Sequence, residues 1–168
     1  MNARRLLPIA LLLGASLTSY AQTRSATVPQ AAPAKQAPAR AAPSVDPNAI
    51  VQAAVTVAQL IDQGQVAQVW KGASPVAHAA TTEKQFVDGL TAKRNALGTP
   101  VSREWTSVSR NIVPAGGNVP AGAYVSARFQ TRFSNNRVAE ELVSLHFDDD
   151  NTWRLAGFAI SLLRKPAQ

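Results

Sequence analysis

The strongest constraint on this chain is the alternation that runs through residues 122–162. In Gly122 to Phe133, Val125, Ala127, Phe129 and Phe133 fall on one side, and Tyr124, Ser126, Arg128, Gln130 and Arg132 on the other. Successive side chains of a strand point to opposite faces, so this pattern predicts a half-buried antiparallel strand. Ser134-Asn135-Asn136 then supplies a hairpin turn into Val138 to Phe147, where Val143, Leu145 and Phe147 alternate with Leu142, Ser144 and His146. Asp148-Asp149-Asp150-Asn151 makes the next turn, into Trp153 to Leu162. Val101 to Val113 is a further, polar strand with Arg103, Trp105 and Ser107 on one side, which suits a sheet edge. Pro114 to Pro120 reads as the loop that follows it. A sheet with one apolar face must be covered.

Three amphipathic stretches upstream provide the cover. Asp46 can cap a helix with Pro47 in its first turn, and Ile50, Ala54, Val57, Ala58 and Ile61 recur at three-and-four spacing. Gly64 offers a left-handed stop. Val66, Val69 and Trp70 mark a second short helix that ends near Gly72 and Pro75. Thr82 and Gln85 have the spacing of a capping box, Phe86, Leu90 and Leu97 form a stripe, and Gly98-Thr99-Pro100 terminates the third helix. Helices first and an antiparallel meander last predict an α+β domain, N-terminal helices packed on a curved, roughly four-stranded sheet, over residues 48–165.

What precedes that domain has a different character. Arg4 and Arg5, the apolar run Leu6 to Leu17, and Ser19-Tyr20-Ala21 are the parts of a secretory signal, predicted over residues 1–21 with cleavage after Ala21. The apolar run is shorter than the ~20 residues a spanning helix needs. No cysteine follows it to carry a lipid, so the expected location is periplasmic or secreted, without a stable membrane span. Residues 22–47 are rich in alanine and proline and have little to bury, which predicts a disordered spacer. Of the formal charge of +7, the leader holds two positive charges and the spacer a net two, leaving +3 for the folded part. That is far from the dense basic patch nucleic-acid binding requires. The chain has no cysteine, which removes disulfides, thiolate nucleophiles and cysteine zinc sites together.

From Ile50 to Ile160 the chain resembles DUF4019, a bacterial envelope family of unknown function. The resemblance rests on Trp70 with Ala73-Ser74, Phe86, Arg94 with Leu97-Gly98, and Arg103. It continues through Gly122 with Tyr124, Phe129-Gln130-Thr131 with Phe133, Glu140 or Glu141 before Val143, and Trp153-Arg154 with Gly157. Phe86 stands where the family more usually has tryptophan, and the Gly116-Gly117 loop is longer. The resemblance implies a helix-plus-curved-sheet cone of cystatin or nuclear-transport-factor-two (NTF2-like) type, and it brings no established activity.

The residues themselves predict no catalytic constellation, metal or cofactor. His146 with Asp148 or Asp150 has the chemistry of an acid/base or metal pair, but a polar position beside a solvated hairpin tip is the simpler reading. The acidic turn lacks the spacing and glycine of a calcium loop. His78 is expected to be exposed. No serine sits in a Gly-flanked elbow and no glycine-rich loop opens a helix. Two surfaces remain. Arg128 and Arg132 project together from the polar side of their strand, near Tyr124 and with Glu140 across from them. They form either a groove for an anionic ligand or envelope partner, or a cross-strand charge pair. Trp70, Phe86, Phe129 and Phe133 either line a ligand cavity between helices and sheet or fill the core. The resulting expectation is a non-enzymatic binding or protein-interaction module, monomer or homodimer. The alternative is a small-ligand-binding or degenerate enzymatic cone.

Overall fold

The computed structural model describes residues 44–163, and the predicted signal peptide and all but the end of the spacer lie outside them. The order of elements is α1 (Pro47–Asp62), α2 (Val66–Lys71), α3 (Pro75–Ala80), α4 (Glu83–Leu97), β1 (Pro100–Val113), β2 (Gly122–Phe133), β3 (Val138–Phe147) and β4 (Trp153–Leu162). The strands form one antiparallel sheet in the order β1-β2-β3-β4, so β1 and β4 are its edges. The helices pack on one face, which gives the α+β arrangement read from the sequence.

Local chemistry sets the helix limits. Asp46 accepts a hydrogen bond from the Asn48 amide at 2.9 Å, and Pro47 occupies the first turn, where its missing amide proton costs nothing. Ile50, Ala54, Ala58 and Ile61 are buried, and the two alanines, with no exposed surface, let α1 settle close against β1, β2 and β3. Past α1, Gly64 at φ +76° lets the Gln65 amide turn back to the Leu60 carbonyl at 2.8 Å. Thr82 and Gln85 form the reciprocal capping box at the start of α4. One helix was not anticipated. Pro75–Ala80 closes as a short turn of helix because Ser74 caps it, accepting from the Val76 amide at 3.2 Å.

Two irregularities bend β1. The pairing with β2 slips between Pro100 and Ser102 and again between Trp105 and Ser107. The second slip corrects the expectation that Arg103, Trp105 and Ser107 share a side. Arg103 and Trp105 lie opposite Thr131 and Phe129 on the helix-covered face, whereas Ser107 lies opposite Arg128 on the other. Beyond it, Val108, Arg110 and Ile112 return to the covered face, opposite Ala127, Val125 and Ala123. A third slip, at Ser144/Leu145, bends the β3–β4 pair. Asn136 and Asn151, both in the left-handed region, close the two tight hairpins.

Candidate functional site

Period-two alternation puts Thr131 and Glu141 on the covered face, among Val125, Ala127, Phe129, Val143 and Leu145. A carboxylate there has to be answered, and four elements answer it. Glu141 has no exposed surface. One of its oxygens accepts from Arg103 Nε at 2.6 Å and from Thr131 Oγ1 at 2.5 Å, and the other lies 2.6 Å from Arg94 Nη2. Arg103 Nη2 and Arg94 Nη2 also reach Asp62, at the end of α1, at 2.9 and 3.2 Å. Two guanidiniums and two carboxylates therefore balance between α1, α4, β1 and β3. All three guanidinium nitrogens of Arg94 are buried without a hydrogen bond, and Nη2 meets the two carboxylates as an ion pair only. The guanidinium carbon sits 5.4 Å from the Phe133 ring centre and 6.0 Å from that of Phe158, so aromatic faces take up part of the charge. Burial pushes the Asp62 carboxyl above its ordinary range despite the arginines. In Glu141 burial acts the same way, but the hydrogen bonds from Arg103 and Thr131 overcome it and hold the group below its usual value. A shallow cavity of about 410 Å³, lined by Asp62, Arg94, Asn95, Gly98, Thr99 and Pro100, lies beside this cluster.

A second polar cluster forms at the far end of the sheet. His146 is buried rather than set on an open face, because the Tyr124 ring lies 4.8 Å away and Gly122 closes over its edge. Its Nδ1 is 2.7 Å from Asp148 Oδ1, and Ser74 Oγ donates to that same oxygen at 2.6 Å. Arg154 Nη1 donates to the other oxygen at 3.0 Å and clasps Asp150 with both terminal nitrogens. Burial pushes Asp148 up, and the bonds from Ser74, His146 and Arg154 bring it below its normal range. Ser74, His146 and Asp148 have the residue types of a nucleophilic triad but not its order. A nucleophile would bond the imidazole nitrogen remote from the carboxylate. Here Ser74 is wholly buried and bonds the carboxylate itself, and His146 Nε2 faces Gly122 with no partner. A methyl group on Gly122 would stand 2.3 Å from Nε2, and the residue has φ +150°, so only glycine fits.

The positions singled out from the sequence disperse. On the uncovered face Arg128 donates to Glu140 at 2.6 Å, Arg132 is exposed four residues on, and Tyr124 is buried with its hydroxyl on the Pro120 carbonyl at 2.8 Å. Trp70 and Phe86 stack 5.3 Å apart. Phe129 belongs to the main packed cluster with Trp70, and Phe133 to a second with Leu97 and Ala139. The two cavities described are lined by none of these four aromatics. His78, exposed as expected, rests its ring on Trp70 with Nε2 2.9 Å from the Trp70 carbonyl oxygen.

An apolar opening lies at the β1 edge. Val45, just before α1, and Ile50 and Val51 within it face Trp105, Val108 and Val125 across a cavity of about 360 Å³. Trp105 is 60% exposed, and the same strand exposes Val101 at 65% and Ile112 at 55%. Sequence reasoning noted Trp105 but not the groove, since α1 and β1 are brought together only by packing.

Residues 53–158 match the family model described as "Protein of unknown function (DUF4019)". The chain belongs to the DUF4019 family. Comparison with curated proteins and with solved structures gave no match. Most of the polar and charged DUF4019-like residues quoted above converge on the two buried clusters, with Arg94, Arg103, Thr131 and Glu141 in one and Ser74, Tyr124 and Arg154 in the other. No helix among the described residues is long and apolar enough to cross a membrane.

Proposed function

We propose that this DUF4019 chain is an exported, non-enzymatic interaction module of the bacterial envelope, and that its working surface is the groove between the start of α1 and β1. The observation that carries this reading is Trp105, 60% exposed on an edge strand at the mouth of an apolar cavity. Exposed aromatics at the centre of an apolar patch are what binding partners anchor on, and an edge strand offers free backbone donors and acceptors beside them. The signal-like segment around Arg4-Arg5 and Ser19-Tyr20-Ala21 supports export. The absence of an enzymatic role is supported by His146 and Asp148, whose reactive atoms are bonded to each other or pressed against Gly122. One-sided helix cover and the slips in β1 and β3–β4 support the curved, cystatin- or NTF2-like cone.

The Arg128/Arg132 face is a weaker candidate, because Glu140 already compensates the Arg128 charge. A small apolar ligand in the same groove is a second reading, favoured by a volume within the range of small-molecule sites. The test is photocrosslinking in intact cells that express the full chain, with Trp105 or Arg132 replaced by p-benzoylphenylalanine. Light-dependent protein adducts at position 105 and none at 132 are the expected result. Adducts at 132 alone, or at neither position, overturn the assignment. A small mass retained by the purified protein in native mass spectrometry selects the ligand reading.

A further inference from the structure

The bulge in β1 decides what can pair with it. Directly opposed residues of an antiparallel pair share a face of the sheet. Before the bulge, Arg103 and Trp105 face the helices and Ser102 and Glu104 face away; after it, Val108, Arg110 and Ile112 face the helices and Ser107, Ser109 and Asn111 face away. The slip exchanges odd for even positions, so β1 can match itself face for face about a two-fold axis that passes between Thr106 and Ser107.

Resting on the reading of the β1 edge as the working surface, we infer that its partner is a second copy of this chain, joined β1 to antiparallel β1 into one eight-stranded sheet. About that axis Trp105 of one copy stands opposite Val108 of the other, and Val101, in the slip between Pro100 and Ser102, comes level with Ile112. This one register sets exposed Trp105 against apolar Val108 and brings the exposed Val101 and Ile112 of the two copies level with each other. Glu104 meets Ser109 and Ser102 meets Asn111 on the polar face. Moving the pairing by two residues in one direction sets Trp105 against Arg110, and in the other sets Val101 against Arg110 and Arg103 against Val108. The register opposes Arg103 to Arg110, which is tolerable because Arg103 is already held by Glu141 and Asp62. Val108 and Trp105 line the groove, so each copy brings its Trp105 to the mouth of the other's cavity. A single chain holds half of the site.

The chain's lack of cysteine makes the register directly testable. Glu104→Cys/Ser109→Cys places two thiols about 16 Å apart within one strand, too far for an internal disulfide. In the dimer each meets its counterpart across the axis. Under mild oxidation the full chain is expected to give a reducible species of twice the mass, at least about fivefold more than Glu104→Cys/Asn111→Cys, which is out of register. Trp105→Ala in the cysteine-free chain is expected to shift sedimentation toward monomer while leaving the circular dichroism spectrum unchanged. Equal crosslinking by both cysteine pairs overturns the register. A chain that sediments as a monomer throughout a concentration series overturns the second copy. If that monomer still gives adducts at position 105 to a different protein, the working surface stands and only its partner is wrong.

Discussion

Glu141→Gln is the sharpest test of the packing argument. The substitution keeps the shape of the side chain but removes its charge, and it turns an NH2 group toward a site where Arg103 Nε and Thr131 Oγ1 already donate and Arg94 Nη2 stands as an ion-pair partner. One of those contacts becomes donor against donor. Two guanidiniums then share Asp62 alone, with their side chains only 7% and 11% exposed. Removing one partner of a buried charge pair typically costs about 3–5 kcal/mol, far above a surface pair. For a domain of this size that is a fall in Tm of about 10–20 °C. The assay is equilibrium urea unfolding of the mature chain with and without the substitution. Arg94→Met/Glu141→Leu removes one charge of each sign and leaves Arg103 matched to Asp62. Its cost should fall below that of Glu141→Gln, with a coupling energy of about 1.5–3 kcal/mol in the Arg94→Met, Glu141→Leu cycle. A Glu141→Gln cost below about 1 kcal/mol, together with additive single substitutions, would refute the claim that this cluster holds the helices to the sheet.

Two further outcomes follow from the same geometry. Gly122→Ala drives a methyl group into the His146 ring in a backbone conformation side chains rarely adopt; we expect about 2–4 kcal/mol of destabilisation and a displaced His146 imidazole resonance, and an unshifted resonance would contradict the close approach. In acid, Glu141 and Asp148 titrate below their ordinary values and Asp150 is lowered to about 2, so the folded state holds these protons less tightly than the unfolded one. Their contribution is complete above roughly pH 5 and drains away as pH falls through the folded values. Asp62, raised by burial, acts oppositely and offsets part of the loss. The urea midpoint should drop between about pH 5 and pH 3, and a midpoint that rises over that interval would reverse the sign.

The fold was legible because its elements are punctuated locally. Alternation over residues 122–162, Asn at the two hairpin turns, Asp46-Pro47, Gly64 and the Thr82–Gln85 box each act within a few residues, and the helix and strand limits follow them closely. α3 was missed because its cap, Ser74, is fixed as much by Asp148 and by the Leu155 carbonyl as by its own neighbours. The slip at Trp105/Ser107 was missed for a related reason: a bulge is a property of two paired strands, and a strand read alone shows only unbroken alternation.

The candidate sites divide along the same line. Parity alone places Thr131 and Glu141 on the buried face, and a buried carboxylate implies a cationic answer somewhere in the chain. Which cations answer it was decided only by folding, which brings Arg94 and Arg103 to Glu141 from 47 and 38 residues away along the chain. The groove at Trp105 and the enclosure of His146 under Gly122 and Tyr124 are likewise tertiary. Short-range sterics and hydrogen bonds, written in the sequence, determined the elements of this protein. The charge pairing and the exposed apolar edge arose where those elements meet, and so only the tertiary structure decided them.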